Sequence, residues 1–189
     1  MPYFQNATHF LVQAIIGIAI YAVLLRFWMQ WVRADFRNQL GQFIITVTNP
    51  VVIPLRKLLP SIGTIDTATI VLGLLVCGIK VYVFSVLGPY DFSANLIQYA
   101  MMTLGVFIKY SIYLFIGAIF LRAIASWINP HSYNPILDVA HSISNPLTAP
   151  VRRIIPPIGG LDFSAVLVLF FLLFLLRSIV ALLLHGLPI

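Results

Sequence analysis

A proline-rich, basic phrase occurs twice in the chain, as NPVVIPLRKLLPSIGTID at 49–66 and as NPLTAPVRRIIPPIGGLD at 145–162, ninety-six residues apart. When the sequence is aligned with itself at this offset, Arg26 matches Arg122 and Trp31 matches Trp127, and no gap is needed. A long internal repeat predicts that a chain folds as copies of one unit. We therefore expect 1–95 and 96–189 to form two equivalent halves.

The chain is strongly apolar, since 61% of its 189 residues are hydrophobic and 8% are charged. A bilayer core of roughly 30 Å needs about 20 apolar residues in a helix. The sequence predicts an all-α membrane protein with four transmembrane helices, at about 10–29, 67–87, 96–121 and 163–184. The first stretch follows no basic residue and is too long for a signal peptide, so we expect it to stay in the mature protein.

Each half contains two predicted spans, so both halves enter the membrane in the same direction as parallel repeats. Loops rich in Lys and Arg are retained in the cytoplasm. We therefore expect the two connections that contain the phrase to be cytoplasmic and both termini to be periplasmic. The basic residues on those connections are Arg33, Arg37, Arg56, Lys57, Arg152 and Arg153.

The repeated phrase predicts a short helix that starts at Asn49 and again at Asn145, because Asn caps a helix and the following Pro50 or Pro146 fits its first position. Further prolines are expected to prevent a transmembrane helix here. In the first half Pro54 interrupts the segment and Pro60 ends it, and in the second half Pro150 and Pro156 do the same. With their apolar residues, the segments 38–60 and 134–156 are expected to lie as amphipathic elbows in the headgroup layer.

The end of the phrase is expected to turn the chain back into the membrane. Gly63 and Gly159 allow a tight reversal, and Asp66 and Asp162 stand where the next helix needs an N-cap. The phrase acts either as a structural elbow and lipid anchor or as a docking surface for a partner or a lipid headgroup. The sequence leaves both interpretations open.

Arg26 and Arg122 lie at the predicted inner ends of the first and third spans, at the same interface as Asp66 and Asp162. We expect each Arg either to pair with the Asp and turn carbonyls of its own half or to face lipid phosphates. Trp31 and Trp127 accompany these arginines as interfacial anchors.

Three basic residues, Lys80, Lys109 and Arg177, fall within the predicted spans at a similar depth, about 20 Å from the cytoplasmic connections. Either these long side chains extend to the outer headgroups, or they form an inward-facing layer that binds an anion or a lipid headgroup. In both cases, a positive layer disfavours a cation-conducting pore.

The sequence does not assemble an active site. It contains no Glu, and its five Asp residues lie outside the predicted spans. His131, Asp138 and His141 lack the spacing of metal ligands, and Cys77 is alone within a span. We expect no catalytic residue, no metal and no other cofactor.

The two hydrophobic repeats and their shared motif, N-P-x-x-x-P-x-[RK]-[RK]-x-[LI]-P-x-[IL]-G followed by Asp, resemble the YggT family, also called YlmG. The resemblance covers nearly the whole chain. It places the family motif on Asn49, Pro50, Pro54, Arg56, Lys57, Pro60, Gly63 and Asp66, and on Asn145, Pro146, Pro150, Arg152, Arg153, Pro156, Gly159 and Asp162.

The resemblance implies a multi-pass protein of the bacterial inner membrane without enzymatic activity. It implies a role in osmotic or salt tolerance, and plastid relatives suggest a role in cytochrome maturation and nucleoid organisation. We expect a scaffold or assembly factor for membrane protein complexes, with a channel or transporter that affects potassium or anion homeostasis as the alternative. The expected partners are anionic lipid headgroups and other membrane proteins, including a possible homo-oligomer, with no direct contact to nucleic acid.

Overall fold

The computed structural model of the protein describes residues 2–63, 65–87, 95–128, 134–155 and 162–184. The described part of the chain is helical, as predicted. The helices are α1 (Pro2–Trp31), α2 (Gln39–Leu58), α3 (Thr67–Leu87), α4 (Leu96–Ile128), α5 (Pro135–Ile154) and α6 (Phe163–Leu175). A π-helical turn, Leu176–Val180, joins α6 to the short helix α7 (Ala181–Leu183).

Four segments are long and apolar enough to cross a membrane, namely Ala7–Trp31, Thr67–Val86, Leu96–Ala125 and Phe163–Leu183. The predicted number of spans is confirmed, although α1 and α4 extend beyond the predicted stretches. Large apolar side chains on these helices are exposed, including Phe10 at 71% and Phe170 at 68%. Such surfaces are stable against lipid rather than water.

The spanning helices pack pairwise, with α1 against α3, α3 against α4, and α4 against α6. Their shared core includes Ile20 and Leu24 of α1, Val81 of α3 and Ile119 of α4, all less than 3% exposed. A small residue allows α3 and α4 to approach closely: a Cβ added at Gly73 would lie 2.9 Å from the Phe107 ring.

Helices α2 and α5 occupy the predicted interfacial segments and have the same boundaries in each half: they begin at residues 39 and 135 and end at 58 and 154. Both helices are amphipathic, and α2 contacts α5 as well as α1 and α3. The buried face of α2 consists of Gly41, Ile44, Thr48 and Val52, and that of α5 consists of Val139, Ala140, Ile143, Ser144 and Thr148.

The predicted start of each motif helix was wrong. Asn38 and Asn134 are the N-caps, and their side chains accept hydrogen bonds from the backbone N–H groups of Gly41 and Ile136. Asn49 and Asn145 lie in the middle of α2 and α5. An Asn–Pro pair also fits the interior of an amphipathic helix. The carbonyl that loses its backbone partner at the proline can then lie on the exposed face, where it is solvated.

The predicted interruption at Pro54 and Pro150 was also wrong, because α2 and α5 continue through them. The prolines within the two helices are four residues apart and lie on the exposed face, so the carbonyls that lose a backbone partner can be solvated. Hydroxyl groups add side-chain bonds within the same helices: Thr46 donates to the carbonyl of Gln42 at 2.8 Å, and Thr148 donates to that of Ser144 at 3.2 Å.

The chain reversal after α2 follows the prediction. Pro60 comes directly after the C-cap Leu59, and Gly63 has a φ of 59°, within the left-handed region that favours glycine. Ile62 and Ile65 exchange two backbone hydrogen bonds of 3.0 Å around this glycine. In the second half, Pro156 and Gly159 lie outside the described residues.

Candidate functional site

Two clusters of polar side chains lie where α2 and α5 meet the spanning helices, at the end of the protein that we call the motif end. The first polar cluster consists of Arg26, Thr48, Asn49, Arg56, Asp66 and Thr69. The second polar cluster consists of Arg122, Ser144, Thr148, Arg152, Asp162 and Ser164. In each half, these residues connect both spans to the motif helix.

Arg26 is almost fully buried, with 4% of its surface exposed. Its guanidinium donates to the Thr48 hydroxyl at 2.5 Å and to Asn49 Oδ1 at 2.9 Å. These bonds join α1 to the middle of α2. The direct hydrogen bond predicted between Arg26 and Asp66 is therefore replaced in the first half by bonds to α2, although the Asp66 carboxylate still attracts the Arg26 charge.

Asp66 precedes α3 and is 1% exposed. Its Oδ2 accepts hydrogen bonds from Arg56 Nε at 3.1 Å, from Arg56 Nη2 at 2.6 Å and from the Thr69 hydroxyl. Burial raises the pKa of Asp66, but the bonds from Arg56 and Thr69 and the charges of Arg56 and Arg26 outweigh it, so this pKa is lower than usual. The ionised carboxylate thereby fixes the end of α2 to the start of α3.

In the second half, Asp162 is the N-cap of α6, and its Oδ1 accepts the Ser164 backbone N–H at 3.2 Å. Arg122 donates to its Oδ2 at 2.8 Å, so this half forms the pair, which was one of the two arrangements that the sequence left open. Arg152 donates to the same oxygen. Burial raises the pKa of Asp162, but hydrogen bonds from Ser164 and Arg152 and the charges of Arg152 and Arg122 lower it overall.

Arg122 also binds α5, donating to the hydroxyl groups of Ser144 at 3.2 Å and Thr148 at 3.3 Å. Ser144 and Thr148 are ninety-six residues after Thr48 and Val52. Val52 is fully buried and offers no side-chain acceptor, and Arg26 uses Asn49 as its second partner. The two halves therefore use the same basic and acidic residues with different neutral acceptors.

The remaining motif residues lie around these clusters. Lys57 and Arg153 are exposed at the ends of α2 and α5. Trp31 is 49% exposed, and its ring lies 5.9 Å from that of Phe27. Trp127 belongs to α4, but its side chain lies outside the described part of the chain.

Sequence reasoning missed the hydroxyl residues of the clusters and the contact of Asn49 with Arg26, and also Trp28. Its indole donates to the Ser111 hydroxyl at 3.1 Å and its ring lies 4.7 Å from that of Phe115, so it joins α1 to α4. The recurrence of a hydroxyl residue at Thr48 and Ser144 was a usable signal, whereas Trp28 has no counterpart in the second half.

The basic residues within the spans separate into two groups. Lys80 and Lys109 are half-buried and line a cavity of about 310 Å³ together with His9, Gln13 and Tyr110. Arg177 lies on the π-helical turn with an exposed side chain, as expected for a residue that faces lipid. The three side chains therefore do not share one environment.

No group of three or more His, Cys, Asp or Glu side chains is placed to hold a metal ion within the described ranges. His141 is on α5, and burial together with the charges of Arg122 and Arg152 lowers its pKa. His131 and His185 lie outside the described residues.

These features define an α-helical integral membrane protein with four membrane-capable helices, in which two clusters of arginine and polar side chains bind a pair of amphipathic helices. The chain belongs to the CCB3/YggT family, whose model matches residues 5–87 and 101–184. The first residues of these two matches are ninety-six positions apart, the spacing of the internal repeat.

The chain is similar along most of its length to bacterial proteins. It is 41% identical over 169 residues to the "Uncharacterized protein in proC 3'region" of Vibrio alginolyticus, covering 88% of this chain and 89% of that protein. It is 34% identical over 180 residues to the "Uncharacterized protein YggT" of Escherichia coli K12, covering 94% of this chain and 90% of that protein. No solved structure matches the chain.

Proposed function

We propose that this protein is a non-enzymatic scaffold of the bacterial inner membrane, which organises other membrane proteins at its motif end and thereby supports growth under osmotic stress. The observation that carries the proposal is the pair of polar clusters. Each cluster fixes an amphipathic helix to two spans through a basic residue on the span and another on the helix itself. Such cross-linking favours a rigid binding surface over a moving gate.

The exposed face of α2 is apolar, which suits contact with a lipid surface or with another membrane protein. Phe43 is 61% exposed, Val47 51% and Ile53 50%. The last turn of the helix also carries the exposed Lys57, which is suited to anionic headgroups. Helix α2 also contacts α5, so the two motif helices lie beside each other at this end of the protein.

Site-specific photo-crosslinking tests the scaffold directly. A photoreactive residue at position 47 or 53 should give the same discrete protein adducts in growing cells, because both positions lie on the exposed face of α2. Leu104 is the matched control, since it is 45% exposed but belongs to the spanning helix α4. Adducts that are identical at 47, 53 and 104, or no protein adducts at all, would contradict a docking surface on α2.

Growth at high salt links this surface to the proposed role. In a strain that lacks the gene, the wild-type chain should restore growth, and Val47→Gln with Ile53→Gln should restore it poorly at equal protein level. A matched pair of Gln substitutions at Leu104 and Phe120, on the exposed side of α4, should restore growth fully.

The alternative function, a channel or transporter, is favoured by one observation, the cavity lined by Lys80 and Lys109. Its positive lining suits anions better than potassium. Ion flux into liposomes that contain the purified protein distinguishes the two functions. A scaffold should give the flux of protein-free liposomes, and a salt-dependent flux that is lost in Lys80→Gln with Lys109→Gln would favour the alternative.

A further inference from the structure

A partly enclosed cavity of about 310 Å³ lies among α1, α3, α4 and the end of α7. Lys80 is fourteen residues beyond Asp66, which places this cavity about 20 Å from the polar clusters along the helix axis. Its volume is at the lower end of the range for small-molecule sites, about 300 to 1,000 Å³. The lining combines His9, Gln13, Lys80, Lys109 and Tyr110 with the apolar Val81, Phe84, Val106 and Leu184.

Two ammonium groups line this cavity, and no described acidic residue lines it with them. Lys80 donates to the side-chain oxygen of Gln13 and lies 5.6 Å from the centre of the Tyr110 ring. Lys109 lies 5.9 Å from the centre of the Tyr113 ring. These contacts orient the lysines, and no carboxylate among the described cavity residues compensates their charges, which repel each other in a region of low dielectric.

Two further polar groups of the cavity residues are unpaired. His9 Nε2 and Gln13 Nε2 are buried and have no hydrogen-bond partner among the described residues. Buried polar groups without a partner require a reason, such as a bound ion or water. Gln13 and Lys109 are also ninety-six residues apart, so each half contributes a polar side chain from the same repeat position.

We propose that this cavity is a binding site for a phosphate group, which belongs either to a phospholipid headgroup or to a soluble phosphate. Lys80 and Lys109 supply positive charge, and Gln13 and His9 supply further polar groups from α1. Several donors around one cavity suit an anion with several acceptor oxygens better than a halide, which is a single atom. The proposal does not depend on the scaffold function, because it involves neither α2 nor α5.

A second cavity, of about 350 Å³, shares Gln13, Lys109 and Tyr110 with the first and continues along α1 and α4 to Tyr21 and Tyr113. An acyl chain attached to the phosphate group would have a path there between two helices that face lipid. This geometry supports the headgroup as the source of the phosphate, and separate probes distinguish it from a soluble anion.

The test uses the full-length protein in a neutral detergent and measures its thermal unfolding. One series contains dihexanoyl phosphatidylglycerol, and another contains inorganic phosphate with chloride at the same ionic strength as the reference. A ligand that binds the folded state raises the Tm in a saturable way. If only the lipid raises the Tm, the cavity is a headgroup site. If only inorganic phosphate raises it, the cavity is a site for a soluble anion. If both raise it, the cavity recognises the phosphate group that the two probes share.

The variant Lys80→Gln with Lys109→Gln should weaken the binding at least about tenfold, as expected when charged hydrogen bonds are lost. The matched control Arg177→Gln removes the exposed cation of the fourth span and should bind as the wild type does. Lys80→Arg with Lys109→Arg keeps both charges and should retain binding, which separates charge loss from misfolding. Equal binding by all variants, or no Tm shift with either probe, would overturn the proposal.

Asp91 lies outside the described residues, in the connection between α3 and α4. Its carboxylate is the alternative partner for the two lysines, so the variant Asp91→Asn is measured with the same two probes. If the site binds an external phosphate, Asp91→Asn should bind at least as tightly as the wild type. If only Asp91→Asn binds and the wild type does not, the protein's own carboxylate neutralises the lysines and the proposal is wrong.

Discussion

Arg122 Nη2 donates a hydrogen bond of 2.8 Å to Oδ2 of Asp162, forty residues later in the chain. The guanidinium belongs to the end of α4, and the carboxylate caps the start of α6. Because Arg122 also binds Ser144 and Thr148, one side chain connects three helices of the second half. The protein thereby uses a charged residue near the membrane interface as an internal connection.

A double-mutant cycle measures the strength of this connection. Arg122→Gln and Asp162→Asn should each lower the free energy of unfolding by about 1.5 to 3 kcal/mol, the range for hydrogen bonds to charged groups. The double variant should lose less stability than the sum of the two single variants, because the bond between Arg122 and Asp162 is removed only once. Arg153→Gln is the control, because Arg153 is exposed on α5, and it should change stability by less than about 0.5 kcal/mol. Full additivity would show that Arg122 and Asp162 do not stabilise each other.

Acid should weaken the first polar cluster. The pKa of Asp66 is lowered in the folded protein, so its ionised form stabilises the fold above its ordinary pKa of about 3.9, and this stabilisation is lost as the pH falls through the folded pKa. The Tm of the wild type should be level from about pH 7 to 5 and fall below about pH 4. Asp66→Asn should have a lower Tm at pH 7 and a smaller acid-dependent fall. Asp138→Asn, at an exposed carboxylate of α5, should keep the wild-type profile.

Gly41 has a steric role at the start of α2. A Cβ at this position would lie 2.7 Å from the Cα of Phe36 and 2.8 Å from its carbonyl oxygen, and these backbone atoms cannot move without shifting the helix. Gly41→Ala should therefore destabilise the protein by about 1 to 3 kcal/mol, the usual cost of overpacking. Gly117→Ala is the matched control, because no atom lies within 4 Å of its added Cβ. Equal Tm values for the two variants would contradict the close contact.

The spans and the end of α2 could be predicted because each depends on a local property, such as apolar length or the terminal Pro60. The starts of α2 and α5 could not be predicted from the Asn–Pro pairs, because Asn38 and Asn49 are equally good N-caps as isolated residues. Which of them caps the helix depends on burial of the face that includes Ile44 and Thr48.

The polar clusters were predictable in part. The register of Arg122 and Asp162 within the repeat places them at one interface, whereas the choice between a pair and an Arg that faces phosphates needed the structure, which shows the pair. The partners of Arg26 were missed because the choice of Asn49 depends on the helical continuity of α2 through Pro50 and Pro54. The different environments of Lys80 and Arg177 likewise depend on how the spans pack and not on their depth.

The last prediction is the orientation of the protein in the membrane. Arg33, Arg37 and the basic pairs at the ends of α2 and α5 all lie on the motif side, which should therefore be cytoplasmic. The even number of spans then puts both termini in the periplasm. Alkaline phosphatase, which is active in the periplasm, should be active when fused after residue 189 and inactive when inserted after residue 37. Green fluorescent protein, which fluoresces in the cytoplasm, should give the opposite pattern at the same two sites. Strong fluorescence from the C-terminal fusion would reverse the assignment.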